Sequence, residues 1–125
     1  MSILLDSDVV IEVLRARDSG ILDQWTLVVH RSANLLVSPV TVAEVWAGAL
    51  PAEHTAISRF FALVPCVPLD QETGRAAGDF LRQFSRSHGL KIADALIAAT
   101  ATRHKAALWT RNRKHYPMTS LVFHT

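Results

Sequence analysis

Short apolar runs that break off at a polar residue and give way at once to a helical stripe set the frame for this chain. Ile3-Leu4-Leu5 stops at Asp6, and apolar residues then fall at Val9, Val10, Val13 and Leu14, one face of a helix running to Arg17. Strand, polar turn, helix is the economical reading, with Ser7 or Asp8 as the cap. The pattern returns at Leu35-Leu36-Val37, which closes at Ser38-Pro39 ahead of a helix over Val40 to Leu50 that ends near Gly48 and Pro51. Further helices are predicted over Ile21 to Arg31 and over Ala52 to Leu63, with Phe60, Phe61 and Leu63 facing inward. Two more run over Asp70 to Ser87, stopped by Gly89, and over Ile92 to His104. Cys66-Val67, lying between Pro65 and Pro68, is a brief strand at most; Ala107-Leu108-Trp109 and Leu121-Val122-Phe123 finish as strands.

Short apolar strands alternating with helices imply an α/β fold: a mostly parallel central sheet of about five strands, flanked by helices on both faces. The 125 residues, half of them apolar, fit one domain over 1–125. Ligands of such folds collect at the carboxyl ends of strands, so the residues to inspect follow each strand or open the next helix.

Composition excludes several classes. No apolar run reaches the ~18 residues of a membrane span, and the first residues carry neither a basic lead nor a small-residue cleavage site. A cytoplasmic protein without a membrane partner is the expectation. The single cysteine, Cys66, excludes an internal disulfide and a multi-cysteine metal site, and between its prolines it reads as a small buried hydrophobe. Histidines 30, 54, 88, 104, 115 and 124 are scattered without zinc spacing. Trp25, Trp46 and Trp109 lie in apolar contexts that suit a core or an interface.

The net charge of +2 conceals an asymmetry. Residues 1–74 hold four arginines against nine carboxylates; residues 75–125 hold nine Lys and Arg against two aspartates. A basic second half suits an anionic partner such as nucleic acid, and equally a set of solvated helix faces.

Four residues occupy the positions where chemistry is expected. Asp6 directly follows the first strand, Glu44 lies in the helix after the second, Asp94 in the first turn of the helix after Gly89, and Asn112 just past the fourth strand. Three carboxylates gathered at one sheet edge repel one another and hold protons unless something neutralises them. A hard divalent cation with oxygen ligands does so, and Mg²⁺, which keeps waters and takes one or two carboxylates plus phosphate oxygens, suits phosphodiester chemistry. Each residue also has a plainer role: Asp6 as a helix cap, Glu44 in a capping box with Thr41, Asp94 at the positive end of a helix dipole, Asn112 as a turn residue. Asp94 is the hardest to explain that way, because a lone acid within Ile92-Ala93-Asp94-Ala95-Leu96-Ile97-Ala98-Ala99 is expensive to bury unpaired.

With these residues in hand the chain resembles the PIN-domain family, specifically the VapC-type ribonuclease toxins of bacterial and archaeal toxin–antitoxin pairs. The resemblance covers the whole chain. It rests on four stretches in this order: Ile3-Leu4-Leu5-Asp6-Ser7-Asp8 continuing to Leu14, Ser38-Pro39-Val40-Thr41-Val42-Ala43-Glu44 continuing to Gly48, Gly89-Leu90-Lys91-Ile92-Ala93-Asp94 continuing to Ala101, and Leu108-Trp109-Thr110-Arg111-Asn112-Arg113-Lys114-His115-Tyr116. It implies a Mg²⁺-dependent endoribonuclease, with Mn²⁺ able to substitute. Asp6, Glu44 and Asp94 match the family's acids, Asp6 and Asp94 binding the metal and Glu44 orienting water or completing its shell. Asn112 stands where the family often carries Asp, which puts a second tightly bound metal in doubt. The resemblance also implies a homodimer and a VapB-type antitoxin that blocks the pocket. Ser7 and Thr110 are expected to hydrogen-bond the carboxylates. Lys91, Arg111, Arg113 and Lys114 are expected to hold the RNA backbone.

Rival classes fit less of the chain. Asp6-Ser7-Asp8 matches the opening of haloacid-dehalogenase-type phosphatases, with Asp6 as nucleophile and Asp8 as acid/base, but that chemistry needs a late acidic pair and nothing after Asp94 is acidic. A receiver domain would need a lysine after the last strand, where none stands. A PIN fold that binds RNA or protein without cutting remains the alternative, carried by Asn112.

Overall fold

A run as apolar as residues 3–5 is stable only when both of its faces are covered, and it forms the middle of the sheet. The computed structural model describes residues 1–31 and 33–125. Strand β1 (Ser2–Leu5) lies between β2 (Asn34–Leu36) and β3 (Ala107–Trp109), both parallel to it, with Leu4 opposite Leu36 and Leu108, and Leu5 opposite Trp109. Because all three strands run the same way, their carboxyl ends share one edge, and the Asp6 N–H is tied to the Trp109 carbonyl at 3.0 Å.

The α-helices among the described residues are α1 (Ser7–Arg15), α2 (Ser19–His30), α3 (Pro39–Ala47), α4 (His54–Leu63), α5 (Gln71–His88) and α6 (Ile92–Arg103). Alternation along the strands sorts the core into two halves. Leu4 and Leu108 point toward α5 and α6 and pack with Ala77, Ile97 and Ala98; Ile3, Leu5 and Trp109 point the other way and pack with Val9, Val10, Val45 and Ile57 of α1, α3 and α4. Helix α6 is the most enclosed of the helices: Ala95, Ile97, Ala98, Ala99, Thr100 and Ala101 are all buried. Its small side chains let α5 lie close against it.

The helix ends follow local chemistry, with corrections to the sequence reading. Helix α1 is capped by Asp6, whose Oδ1 accepts the Ser7 N–H at 2.8 Å, and not by Ser7 or Asp8. Ser38 caps α3 ahead of Pro39, so Thr41 and Glu44 form no capping box; Thr41 is buried and donates its hydroxyl to the Leu5 carbonyl at 3.1 Å. Asp70 caps α5 through Thr73, and Gly89, at φ +63°, closes that helix in the left-handed conformation glycine adopts without strain.

Among the described residues the expected five strands are three. The other two candidates touch the sheet only as single parallel bridges, Val37 with Cys66 and Leu108 with Phe123. Pro65 and Pro68 flank Cys66-Val67 and lack the N–H groups a longer ladder requires. On the opposite edge Leu108 accepts from His124 and donates to Val122, and no pairing beyond that bridge is made. Two side chains were also misplaced by pattern: Leu63, at the end of α4, is 84% exposed, and Cys66 is exposed at the sheet edge. Trp109 is core and stacks with Trp25, whereas Trp46 is partly exposed against His54.

Candidate active site at the carboxyl edge of the sheet

The parallel register delivers Asp6 and Thr110 side by side, each one residue past its strand. Asp6 is buried and carries three donors: the Ser7 N–H on Oδ1, and on Oδ2 the Thr110 hydroxyl at 2.9 Å and the Tyr116 hydroxyl at 2.7 Å. A carboxylate offers about four lone-pair sites, so one site on Oδ1 is left for a further partner. The Tyr116 hydroxyl also stands 3.5 Å from Asp94 Oδ1, at the limit of hydrogen bonding, and so joins the end of β1 to the first turn of α6.

Glu44 of α3 and Asp94 of α6 line one cleft of about 380 Å³. Its other walls include His88, Lys91, Lys114 and His115, so a basic rim faces the acids. The carboxylates sense one another. Burial pushes the Asp94 carboxyl above its ordinary value and the Asp6 charge adds to this, while His115, the Tyr116 hydroxyl and Lys91 pull it back. Burial raises Glu44 as well, opposed by the Ser7 hydroxyl and reinforced by Asp6, Asp94 and Asp8. Asp8 is raised by burial and then by Asp6. Tyr116, buried beside these acids, is driven far above the ordinary phenol range and stays a proton donor.

The sequence-predicted residues divide. Asp6, Glu44 and Asp94 share one neighbourhood, Ser7 and Thr110 touch the carboxylates, and Lys91 and Lys114 reach the cleft. Asn112 presents its amide, not its oxygen, to Asp8 at 2.9 Å. Arg111 is engaged elsewhere, with Asp18 at 3.2 Å and Glu12 at 3.4 Å. Arg113 donates to the His124 carbonyl and lies over the Phe123 ring. Sequence reasoning assigned no role to Tyr116, although it lies within the fourth stretch, and considered Asp8 only as a helix cap or a phosphatase acid.

The donor set suits a hard cation in kind. It is all oxygen, acidic and partly desolvated, and Asp6 retains a lone pair. The acids do not form a ready-made cage: among the described residues no three His, Cys, Asp or Glu side chains are gathered closely enough to hold an ion. A hard cation here would draw most of its ligands from water, as Mg²⁺ does.

The pattern described as PIN domain matches residues 3–119. The chain belongs to the PIN-domain family. Ribonuclease VapC10 of Mycobacterium tuberculosis is 37% identical over 121 residues, covering 93% of this chain and 86% of that protein. Ribonuclease VapC19 of the same organism is 29% identical over 116 residues, 92% of each. Among solved structures, this PIN domain superimposes on VapBC2 from Rickettsia felis, bound to a DNA fragment from its promoter, with TM-score 0.81 and 19% identity over 99% of this chain and 98% of the other. DNA-bound VapBC from Salmonella typhimurium gives 0.82 at 16% identity, over 99% and 97%. These two likenesses establish the fold.

Proposed function

We propose that this PIN domain is a Mg²⁺-dependent endoribonuclease toxin of a toxin–antitoxin pair, working in the cytoplasm as a homodimer and neutralised by a VapB-type antitoxin. The observation that supports the reading is the Tyr116 hydroxyl, 2.7 Å from Asp6 Oδ2 and 3.5 Å from Asp94 Oδ1, which joins Asp6 to the cleft that Asp94 and Glu44 line. The VapC ribonucleases at 37% and 29% identity support the activity, and the toxin–antitoxin complexes among the structural relatives support the partner.

In this reading Asp6, Asp94 and Glu44 hold Mg²⁺, or Mn²⁺ in its place. When bound, the ion supplies polarisation of the scissile phosphate and a water of lowered pKa. Ser7, Thr110 and Tyr116 fix the Asp6 carboxylate before any ligand arrives, so little reorganisation is needed at the moment of reaction. Glu44, the most exposed of the three acids and raised in pKa, orients the attacking water and accepts its proton. Lys91 and Lys114, with His88 and His115, face the phosphates and exclude other orientations of the strand. Hydrolysis by water leaves a 5′-phosphate and a 3′-hydroxyl and makes no use of the RNA 2′-hydroxyl.

The test is cleavage of structured RNA by the full chain with added Mg²⁺, comparing wild type with Asp6→Ala and Asp94→Ala. Loss of cutting in both variants and in EDTA is expected. Full activity in both, or in excess EDTA, refutes the metal reading. The second reading, a PIN fold that binds without cutting, draws on Asn112 and the open arrangement of the acids; RNA retention with no cleavage by the wild type under any divalent ion would establish it.

A further inference from the structure

Arg111 sends its main chain and its side chain to different places. Its N–H donates to Asp8 Oδ2 at 3.0 Å, beside the Asn112 amide at 2.9 Å on the same oxygen. Its guanidinium reaches the corner where α1 passes to α2, 3.4 Å from Glu12 Oε1 and 3.2 Å from Asp18 Oδ2. That corner is fixed by contacts of its own. Asp18 caps α2 through the Ile21 N–H at 3.1 Å, and Ala16 closes α1 at φ +54° with its N–H on the Glu12 carbonyl at 2.8 Å.

Neutralising the corner does not account for this reach. Glu12 is buried, but Arg17 already meets the same Oε1 at 2.7 Å, closer than Arg111 does. Ion pairs this long, on a guanidinium 42% exposed, add little to global stability. What the reach does fix is the main chain from Thr110 to Asn112. Thr110 donates its hydroxyl to Asp6 Oδ2 at 2.9 Å and accepts the Asn112 N–H at 3.1 Å. These donors all lie within one residue of Arg111, in an irregular stretch between β3 and the short helical turn Arg113–His115. They act on two carboxylates that repel each other, so they keep their aim only while that stretch is held in place. Both terminal nitrogens of Arg111 are turned to carboxylates, which leaves Lys91 and Lys114 as the cations lining the cleft.

We propose that Arg111 is a positioning residue of the acid site: its guanidinium, moored to Glu12 and Asp18, sets the main chain so that the Thr110 hydroxyl and the Arg111 N–H hold Asp6 and Asp8. It acts on the chemistry through that main chain and makes no contact with RNA. The proposal rests on the reading that these acids cut RNA.

The experiment compares full-length wild type, Arg111→Ala, Arg111→Lys and Asp18→Asn in three measurements: Mg²⁺-supported RNA cleavage resolved into kcat and KM, amide hydrogen-exchange protection at residues 111 and 112, and melting temperature. Arg111→Ala should lower kcat about ten-fold or more, leave KM and its salt dependence unchanged, and melt within about 4 °C of wild type. Protection at 111 and 112 should fall about ten-fold, and Arg111→Lys should restore part of both losses. A raised KM whose salt slope falls by about 0.7–0.9, with kcat unchanged, makes Arg111 a phosphate contact; the inference then fails and the nuclease reading stands. Unchanged kcat, or unchanged protection, also overturns it. If the wild type cuts no RNA, the nuclease reading fails, and the mooring of Asp6 and Asp8 stands or falls on the exchange alone. Should Arg111→Ala not fold, Asp18→Asn, whose side chain still caps α2, decides by the same measurements, and wild-type values there overturn the proposal.

Discussion

Replacing Asp94 by Asn should make the protein more stable at neutral pH while destroying its proposed activity. The Tyr116 hydroxyl is 2.7 Å from Asp6 Oδ2 and 3.5 Å from Asp94 Oδ1, so the two carboxylate oxygens are at most about 6 Å apart. Two like charges at that separation repel by about 2–3 kcal/mol at an effective dielectric of about 20. Asp94 is half-buried and Lys91 and His115 attract it, so about 1–2 kcal/mol of relief should survive. For a domain of this size that is a rise in melting temperature of about 4–8 °C. The sign follows from linkage. The folded Asp94 carboxyl is raised above its unfolded value, so its contribution favours the fold below the unfolded carboxylate range and is lost as pH climbs through the raised value. The cost is therefore present at pH 7 and absent near pH 3. Scanning calorimetry in EDTA at both pH values measures it. A variant that melts no higher than wild type at pH 7, or whose advantage persists unchanged in acid, refutes the repulsion on which the site depends.

Three further outcomes follow from named contacts. Tyr116→Phe deletes a buried donor to Asp6 and should cost about 1–3 kcal/mol in denaturant unfolding together with a loss of RNA cleavage. Asn112→Asp replaces the amide 2.9 Å from Asp8 Oδ2 with a like charge; it should melt lower at pH 7 by about 2 kcal/mol, with the gap closing in acid as both carboxyls take up protons. Removing Lys91 and Lys114 together should weaken RNA binding and flatten its salt dependence by about 1.4 in log–log slope, measured with a cleavage-dead variant.

Much of this architecture could be read from local pattern. An apolar run ending on an acid, followed by a helical stripe, is enough to predict β1, α1 and the edge where Asp6 emerges, and Ser38-Pro39 announces the start of α3. The prolines around Cys66-Val67 already limit that segment, but apolar composition at 66–67 and 121–123 says nothing about the length of sheet edge available for pairing, so five strands are expected where three form. Leu63 misled for a related reason: the last turn of a helix can run past the surface that covers the rest of its stripe. The acids were legible because carboxylates stand out against apolar neighbours. Tyr116 was not, since a lone tyrosine in a turn carries no spacing signal, and its partner Asp6 is 110 residues away. Only the parallel register, which sets Leu5 beside Trp109, brings the two ends of the chain together.

That closure has a consequence for how the protein is made. Strand β3 and Tyr116 come about a hundred residues after Asp6, yet they complete the pocket in which that acid sits. A nascent polypeptide still lacking its tail, or a message cut short, presents Asp6 without Thr110 or Tyr116 to orient it. The proposed activity is therefore expected only of chains long enough to carry both hydroxyl donors that orient Asp6.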